Sequence, residues 1–488
     1  MRVRSRLLLL PASSLLFGVL QGCTVGPNYS SPDLGTRLGA AWAESEPGMH
    51  EPEMQDLARW WRSFGDDELS ELIDRAFSGN LDLLTARERI ITARARRGVA
   101  NADRLPRLDA EAEYARTEQG REAPIQFGPV PNRSFDTFSG GVVAGWEADL
   151  WGRVARIVEA ADAEIELSRE DYRAVRVATA AEVAREVLSI RAIDDRLGVL
   201  ARAIEVDQEF IEITKARASA GLVSELDLLR AERTASVNRA ARQPLRAERR
   251  AAEHRIAVLL GERPGSIALT ELPQAAAPPL PRLGLPAELL DRRPDVRSAE
   301  RAYAAAVARI GAAEADRYPR IVFGGSFVLG GSDLGDLADP DTRVLAFGPR
   351  VTVPIFEGGR IRSSITLAES EARSALLRLE QSALDAVREV ETALARLCRS
   401  RDRIAELEMA LSAARDSESL AAALYRSGNI DFINVLETRT ERLAIEDVLA
   451  TARLELLSES VSLSVALGGG WEHEVDEVAM LGTAPQGR

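Results

Sequence analysis

Apolar residues recur every three or four positions along most of the chain, and every second position in four shorter stretches. Val183, Val187, Ile190, Ile193, Leu197, Leu200 and Ile204 keep a mean spacing of about 3.5 residues, the seam of a coiled coil, and Ile211 continues it two seam positions further on. About 68 residues separate Gly152 from Gly221 without a Pro, so the spacing predicts one helix of roughly 100 Å at 1.5 Å per residue. The stretch from Gly359 to Gly428 is equally long. Each run ends at a glycine suited to a C-cap with positive φ, and an apolar helical pattern resumes beyond it. Two long helical hairpins are therefore expected. A further helix is predicted over about 66–102, opening at Asp66 and Asp67 and broken by RLPRL (104–108).

The period-2 stretches predict strands. In 107–116, Leu108, Ala110, Ala112 and Tyr114 alternate with Asp109, Glu111 and Glu113. In 138–150, Phe138, Val142, Ala144, Trp146, Ala148 and Leu150 alternate with small and polar residues. In the second half of the chain Ile321, Phe323, Phe327 and Leu329 alternate, as do Leu345, Phe347, Val351, Val353 and Ile355. Strands of about ten residues can cross a bilayer when tilted, and aromatics near their ends suit interfacial belts. A soluble amphipathic sheet shares the same pattern. Four strands cannot close a barrel, and an open edge cannot face lipid with its N–H and C=O groups unpaired. If the strands are transmembrane, several copies must share a barrel. Three copies give twelve strands, between the filled barrels of about eight and the open porins of about sixteen.

The chain also resembles itself. Residues 216–236 align with 423–443, bringing Gly221 onto Gly428 at an offset of 207. Residues 100–114 align with 313–327, bringing Pro106 onto Pro319 at an offset of 213. WEADLWGR (146–153) lies over VTVPIFEGGR (351–360). Three collinear matches indicate a duplication whose period is too long for a solenoid. The expected organisation is a leader at 1–22, an extended segment at 23–65, a first repeat at 66–270, a Pro-rich linker at 271–286, a second repeat at 287–467 and a tail at 468–488. Each repeat carries a helix, a strand pair and a long helical hairpin.

Composition narrows the function. Hydrophobic residues make up 45%, charged residues 28% and aromatics 5% of 488 residues, which favours long helices over a β-rich or disordered chain. A net charge of −14 argues against nucleic acid as a partner. Three His and two Cys are too few for a His/Cys metal centre or a disulfide framework. His50, His254 and His473 are far apart, and no metal or catalytic motif surrounds them. Cys398 lies in a helical pattern and reads as a small packed hydrophobe. The leader carries Arg2, Arg4 and Arg6, no acid, and a Pro-broken apolar run that suits a secretory signal better than a permanent span. Its removal takes the charge from −14 to −17. The run ends in LQGC, which resembles a bacterial lipobox with Cys23 as the lipidated residue, although Gln21 is unusual there. An ordinary cleaved signal with an incidental Cys is the alternative. Thr24 after the Cys points to the outer membrane.

CTVGPNY (23–29), WWRSFGDDELSELIDRAFSGNLDLLTARERI (60–90), LLDRRPDVRSAER (289–301), the paired RLPRL and DRYPRI breaks and the two Gly turns together resemble the outer-membrane factors of tripartite RND efflux systems. The likeness is to the NodT/OprM-like lipoprotein branch of the TolC superfamily. It spans essentially all of the chain beyond the leader. It implies a mainly α, TolC-like fold with a membrane β part, in which a homotrimer shares a 12-stranded barrel and a helical tunnel. It implies partners as well: a periplasmic adaptor (membrane fusion) protein, an inner-membrane RND transporter and outer-membrane lipid. No cofactor is implied beyond a covalent lipid on Cys23.

The resemblance also marks a periplasmic gate at the helical turns. Tyr425 and Arg426 match a Tyr-Arg pair that holds the closed tip. Glu437 takes the place of an Asp that lines the constriction, and Asp227 matches an acidic position in the first repeat. Glu225, Asp431 and Asn434 lie beside them, around Gly221 and Gly428. Thr438 and Arg439 stand where relatives usually carry Ala and Gln. Solvated charges at helix ends explain the acids equally well without a gate. The expected function is export of small molecules through a passive duct, with no enzyme activity. The outer duct of a type I secretion or heavy-metal export system is an alternative, and so is a lipid-anchored periplasmic coiled-coil scaffold without a pore.

Overall fold

The computed structural model describes residues 24–35, 39, 41–44, 57–118, 134–272, 278 and 286–471. The leader, Cys23, His50, most of the Pro-rich linker, and the tail from residue 472 with His473 lie outside the described residues. Seven longer helices and four strands follow one another as α1 (Asp67–Gly79), α2 (Leu81–Ala102), β1 (Arg107–Glu118), β2 (Ser134–Ala148), α3 (Arg153–Ser219), α4 (Glu225–Leu259), α5 (Pro294–Ala315), β3 (Arg320–Gly331), β4 (Arg343–Thr352), α6 (Arg360–Arg426) and α7 (Phe432–Ala466). The two long helices α3 and α6 have 67 residues each, and their return helices α4 and α7 have 35 each. Each half carries a 22-residue helix, two strands, a 67-residue helix and a 35-residue helix in that order, while α1 has no counterpart of its length among the described residues of the second half. No helix among the described residues is long and apolar enough to cross a membrane.

The helix expected over 66–102 is broken in two at Asn80. The Asn80 carboxamide oxygen accepts from the N–H groups of Asp82 and Leu83, and its Nδ2 donates to the Leu259 carbonyl at 2.8 Å. An Asx cap competes with helix continuation in this way. Gly79 also lies so close to the end of α4 that a Cβ would meet the Leu260 carbonyl oxygen at 2.3 Å.

The described residues form two compact units. The first gathers residues from 1–32, 90–168 and 299–379, and the second those from 33–89, 169–298 and 380–488. The first unit contains the sheet, in the order β1-β2-β3-β4 with every pair antiparallel. The register gives the sheet two unlike faces, with Arg116, Asp136 and Arg343 interrupting the apolar one at one end. One face carries Leu108, Tyr114, Phe138, Val142, Trp146, Phe323, Phe327, Leu329, Leu345 and Phe347, and is apolar. The other carries Asp109, Glu111, Glu113, Glu147, Ser139, Ser326 and Arg350, with Val143, Val322, Val328 and Val344 among them, and is the polar face. Tyr114 and Phe138 pair at 4.8 Å near one end of the apolar face, and Trp146 stacks on Phe323 at 5.8 Å near the other. These aromatic rows stand roughly 26 Å apart along β2 at about 3.3 Å per residue. β1 and β4 are edges, and all ten residues of β4 are exposed. The second-half alternation expected through Val353 and Ile355 stops earlier, at Thr352; Ile355 is 95% exposed.

β2 hands over to α3 at a tight turn. Gly152 has φ 76°, and the Asp149 carboxylate accepts from the N–H groups of Val154 and Ala155, satisfying the first turn of the helix. The segment at Thr24–Pro32 lies against this turn. Val25 donates to the Trp151 carbonyl, and buried Arg156 donates to the carbonyls of Val25 and Gly26 and to the Asn28 side chain. Gly26, at φ 89°, packs on Gly311 of α5, leaving no room for a Cβ. The Tyr29 hydroxyl donates to Glu300 at 2.5 Å.

In the second unit, buried Arg191 on α3 binds Asp66 at 3.0 Å, Glu68 at 2.6 Å and the Thr270 carbonyl. Asp66 also caps α1 by accepting from Leu69. The DRRPDV segment has a structural role. Arg293 is buried, pairs with Asp295 and Glu389, and donates to the Ala466 carbonyl at the end of α7.

Candidate functional site

The two long hairpins turn in the same way. At the end of α3, Leu222 donates to the Arg217 carbonyl and Gly221 to that of Ala218, with Gly221 at φ 68°. At the end of α6, Asn429 donates to Leu424 and Gly428 to Tyr425, with Gly428 at φ 81°. Both are Schellman caps, in which glycine occupies the left-handed position without the penalty a Cβ brings. The far ends of α4 and α7 close alike, at Gly261 and Gly468.

Beyond each turn the next helix begins with an acid. The Asp227 carboxylate accepts from the N–H and hydroxyl of Ser224 and pairs with Arg230 at 3.4 Å, so it stabilises the first turn of α4. Asp431 precedes α7, and its carbonyl accepts from the N–H and carboxamide of Asn434. Glu225, Asp431, Asn434 and Glu437 are exposed.

Tyr425 is 3% exposed. Its ring packs on Phe432 at 5.4 Å and lies beneath the Arg217 guanidinium at 4.6 Å, a cation–π contact. Arg217 further donates to the carbonyls of Tyr425 and Arg426, so α3 grips the last turn of α6 through the helix C-terminus. The Tyr425 hydroxyl has no hydrogen-bond partner among the described residues. Arg426 itself is exposed and opens onto a groove of about 670 Å³ lined also by Phe210, Arg415, Glu418 and Arg442. The structure thus brings Tyr425 and Arg217 together and leaves the Arg426 side chain facing outward.

Behind the turn lies a polar network spanning all four helices. Arg439, 2% exposed, pairs with Asp207 at 3.2 Å and with Glu418 at 3.8 Å and donates to the Ala203 carbonyl. Asp207 accepts from Asn238 of α4 at 2.8 Å. Glu418 pairs with Arg442, which pairs with Glu446 at 2.6 Å, and Glu446 with Arg415 at 3.1 Å. Burial depresses the Arg439 pKa from its ordinary value, outweighing the two carboxylates. Arg439 holds the centre of this network.

Sequence reasoning missed Arg217, Asp207 and Glu418. Asp207 left a trace: it fills the one empty seam position, between Ile204 and Ile211, with an acid. Arg217 and Glu418 left none, because their partners are more than twenty residues away. No cluster of three or more metal-binding side chains occurs among the described residues, and His254 is exposed.

An antiparallel sheet with one apolar and one polar face and long capped helical hairpins fit an outer-membrane channel protein. The chain belongs to the outer membrane efflux protein family, whose model matches residues 72–262 and 285–469. It is 31% identical to the outer membrane protein OprJ of Pseudomonas aeruginosa, over 94% of this chain and 96% of that protein. It is 30% identical to the toluene efflux pump outer membrane protein TtgI of Pseudomonas putida, over 95% of this chain and 98% of that protein. The solved outer-membrane channel OprN superposes with a TM-score of 0.84 at 31% identity, covering 92% of this chain and all of that one. The chain is an efflux channel of the outer membrane and not an enzyme, which removes the pore-free scaffold from consideration.

Proposed function

We propose that three copies of this chain close one 12-stranded barrel in the outer membrane and extend their helical hairpins into the periplasm as a duct for small toxic molecules. A periplasmic adaptor and an RND-type inner-membrane transporter feed it, and covalent lipid on Cys23 helps to anchor it. The observation that carries the reading is the four-stranded sheet, apolar on one face, polar on the other and open at both edges. An edge in hydrocarbon leaves unpaired N–H and C=O groups, each costing several kcal/mol, and sharing the barrel removes it. Membership of an efflux family and the likeness to a solvent-pump component support the cargo class. Tyr425, Arg426, Glu437 and the acids beside the turns form the gate, repeated three times about the axis, where rings of carboxylates favour cations over anions.

The test is export. A host strain without this chain should accumulate a fluorescent efflux dye, and wild-type chain should restore low accumulation. Equal accumulation in both strains would contradict the reading.

A further inference from the structure

Several charges on the polar face of the sheet have no charged residue opposite them on the neighbouring strand. Glu111 and Glu113 on β1 are exposed and stand opposite Gly141 and Ser139 on β2. Asp109 stands opposite Val143 and, among the described residues, pairs with Arg107 on its own strand at 2.7 Å. On the other edge, exposed Arg350 of β4 stands opposite Val322 of β3. Exposed acids on one edge strand and Arg350 on the other therefore lie on the same, polar face of the sheet.

We infer that Arg350 of one copy binds the Asp109–Glu111 pair of the next copy, and that this contact sets the register of the seam between protomers; the inference rests on the shared barrel proposed above. Straight across the sheet, Arg107 lines up with Gly145, Gly324 and Gly348. To close a tilted barrel, the next β1 must be displaced along β4. The displacement must be an even number of residues, or the apolar face would change sides. With strands about 4.8 Å apart and a rise of about 3.3 Å per residue, displacements of two, four, six and eight residues per four strands give tilts of about 20°, 35°, 45° and 55°. Membrane barrels tilt by about 35–45°, which leaves four and six. A displacement of four sets Arg350 opposite Asp109, and six sets it opposite Glu111. Two, by contrast, would set it opposite Arg107, a like-charge pair that destabilises a sheet. Charge disfavours two and tilt disfavours both two and eight, so the two permitted registers each set Arg350 opposite an acid, and both keep all ten residues of β4 paired.

The test is cysteine cross-linking in isolated outer membranes, in the full chain carrying Cys398→Ser. Phe347→Cys is combined in turn with Ala110→Cys, Ala112→Cys, Tyr114→Cys or Arg116→Cys, which report displacements of two, four, six and eight. Covalent dimers and trimers should form with Ala112→Cys or Tyr114→Cys at several-fold the yield of the other two. Dominant cross-linking through Ala110→Cys or Arg116→Cys overturns the register, as does no cross-linking from a protein that still has the mass of three copies. No cross-linking from a monomer removes the shared barrel itself. Independently, Arg350→Glu should lower the surviving trimer about two- to five-fold per seam on detergent dilution. Adding Asp109→Arg and Glu111→Arg should restore it, and an undiminished trimer in Arg350→Glu alone overturns the contact.

Discussion

Arg439 on α7 and Asp207 on α3 form an ion pair of 3.2 Å in which each side chain is only 3% exposed. A buried pair is not in itself a large source of stability, because desolvation offsets the attraction; breaking one partner leaves an uncompensated charge and costs about 3–5 kcal/mol. Arg439→Ala should therefore loosen the hairpin tips, read as faster amide exchange in α3 and α7 around residues 203–210 and 435–442. Exposed Glu437→Ala should change it by no more than about 0.5 kcal/mol. Replacing both Arg439 and Asp207 by Leu should cost less than the two single changes added together.

The glycines at the turns differ in what they touch. Gly221 and Gly428 have positive φ and open space where a Cβ would go. Gly221→Ala should cost about 1–2 kcal/mol, the left-handed penalty alone. Gly261 has a similar φ of 74°, but a Cβ there would meet the Gly79 carbonyl oxygen at 2.2 Å. Gly261→Ala should lower the thermal midpoint clearly more than Gly221→Ala. Equal shifts would contradict the close approach of α1 to the end of α4.

Tyr29 is held as a neutral phenol. Burial and its hydrogen bond to the Glu300 carboxylate push its pKa up to about 12, from an ordinary value of 10.0. Because the folded value is the higher one, the stabilisation is complete below about pH 10 and is lost as pH rises through about 12. Tyrosinate absorbance should show one late-titrating ring that disappears in Tyr29→Phe, while limited proteolysis after residue 32 should begin in the same interval.

Much of this was legible in advance, and the reasons are local. The strands could be read because Leu108, Ala110, Ala112 and Tyr114 alternate with three acids, a pattern only a two-faced sheet explains. Gly221 and Gly428 could be read because a left-handed cap nearly demands glycine. The break at Asn80 was hidden because the apolar period runs on through it, and the competing bond to Leu259 comes from a distant helix. The interior of the site was hidden for the same reason: Arg217 acts on Tyr425 and Asp207 on Arg439, each more than 200 positions away.

Arg426 and Glu437 are exposed, and the gate proposed at them can be tested apart from the fold. If they hold the resting tip closed between copies, Arg426→Ala with Glu437→Ala should raise the resting single-channel conductance in a planar bilayer several-fold, with thermal stability changed by less than about 1 kcal/mol. Unchanged conductance would place the gate elsewhere.

Anchoring separates from folding. If lipid on Cys23 anchors the chain as proposed, Cys23→Ser leaves the contacts of Thr24–Pro32 in place, so delivery to the outer membrane should fall while the circular dichroism of the recovered protein stays that of the wild type. Full delivery without lipid would remove Cys23 from the targeting mechanism.

The shared barrel is the claim on which the rest depends. Protein extracted from outer membranes in mild detergent should have, by light scattering corrected for detergent, three times the mass of one chain. A single-chain mass, or recovery in the soluble fraction, would contradict it.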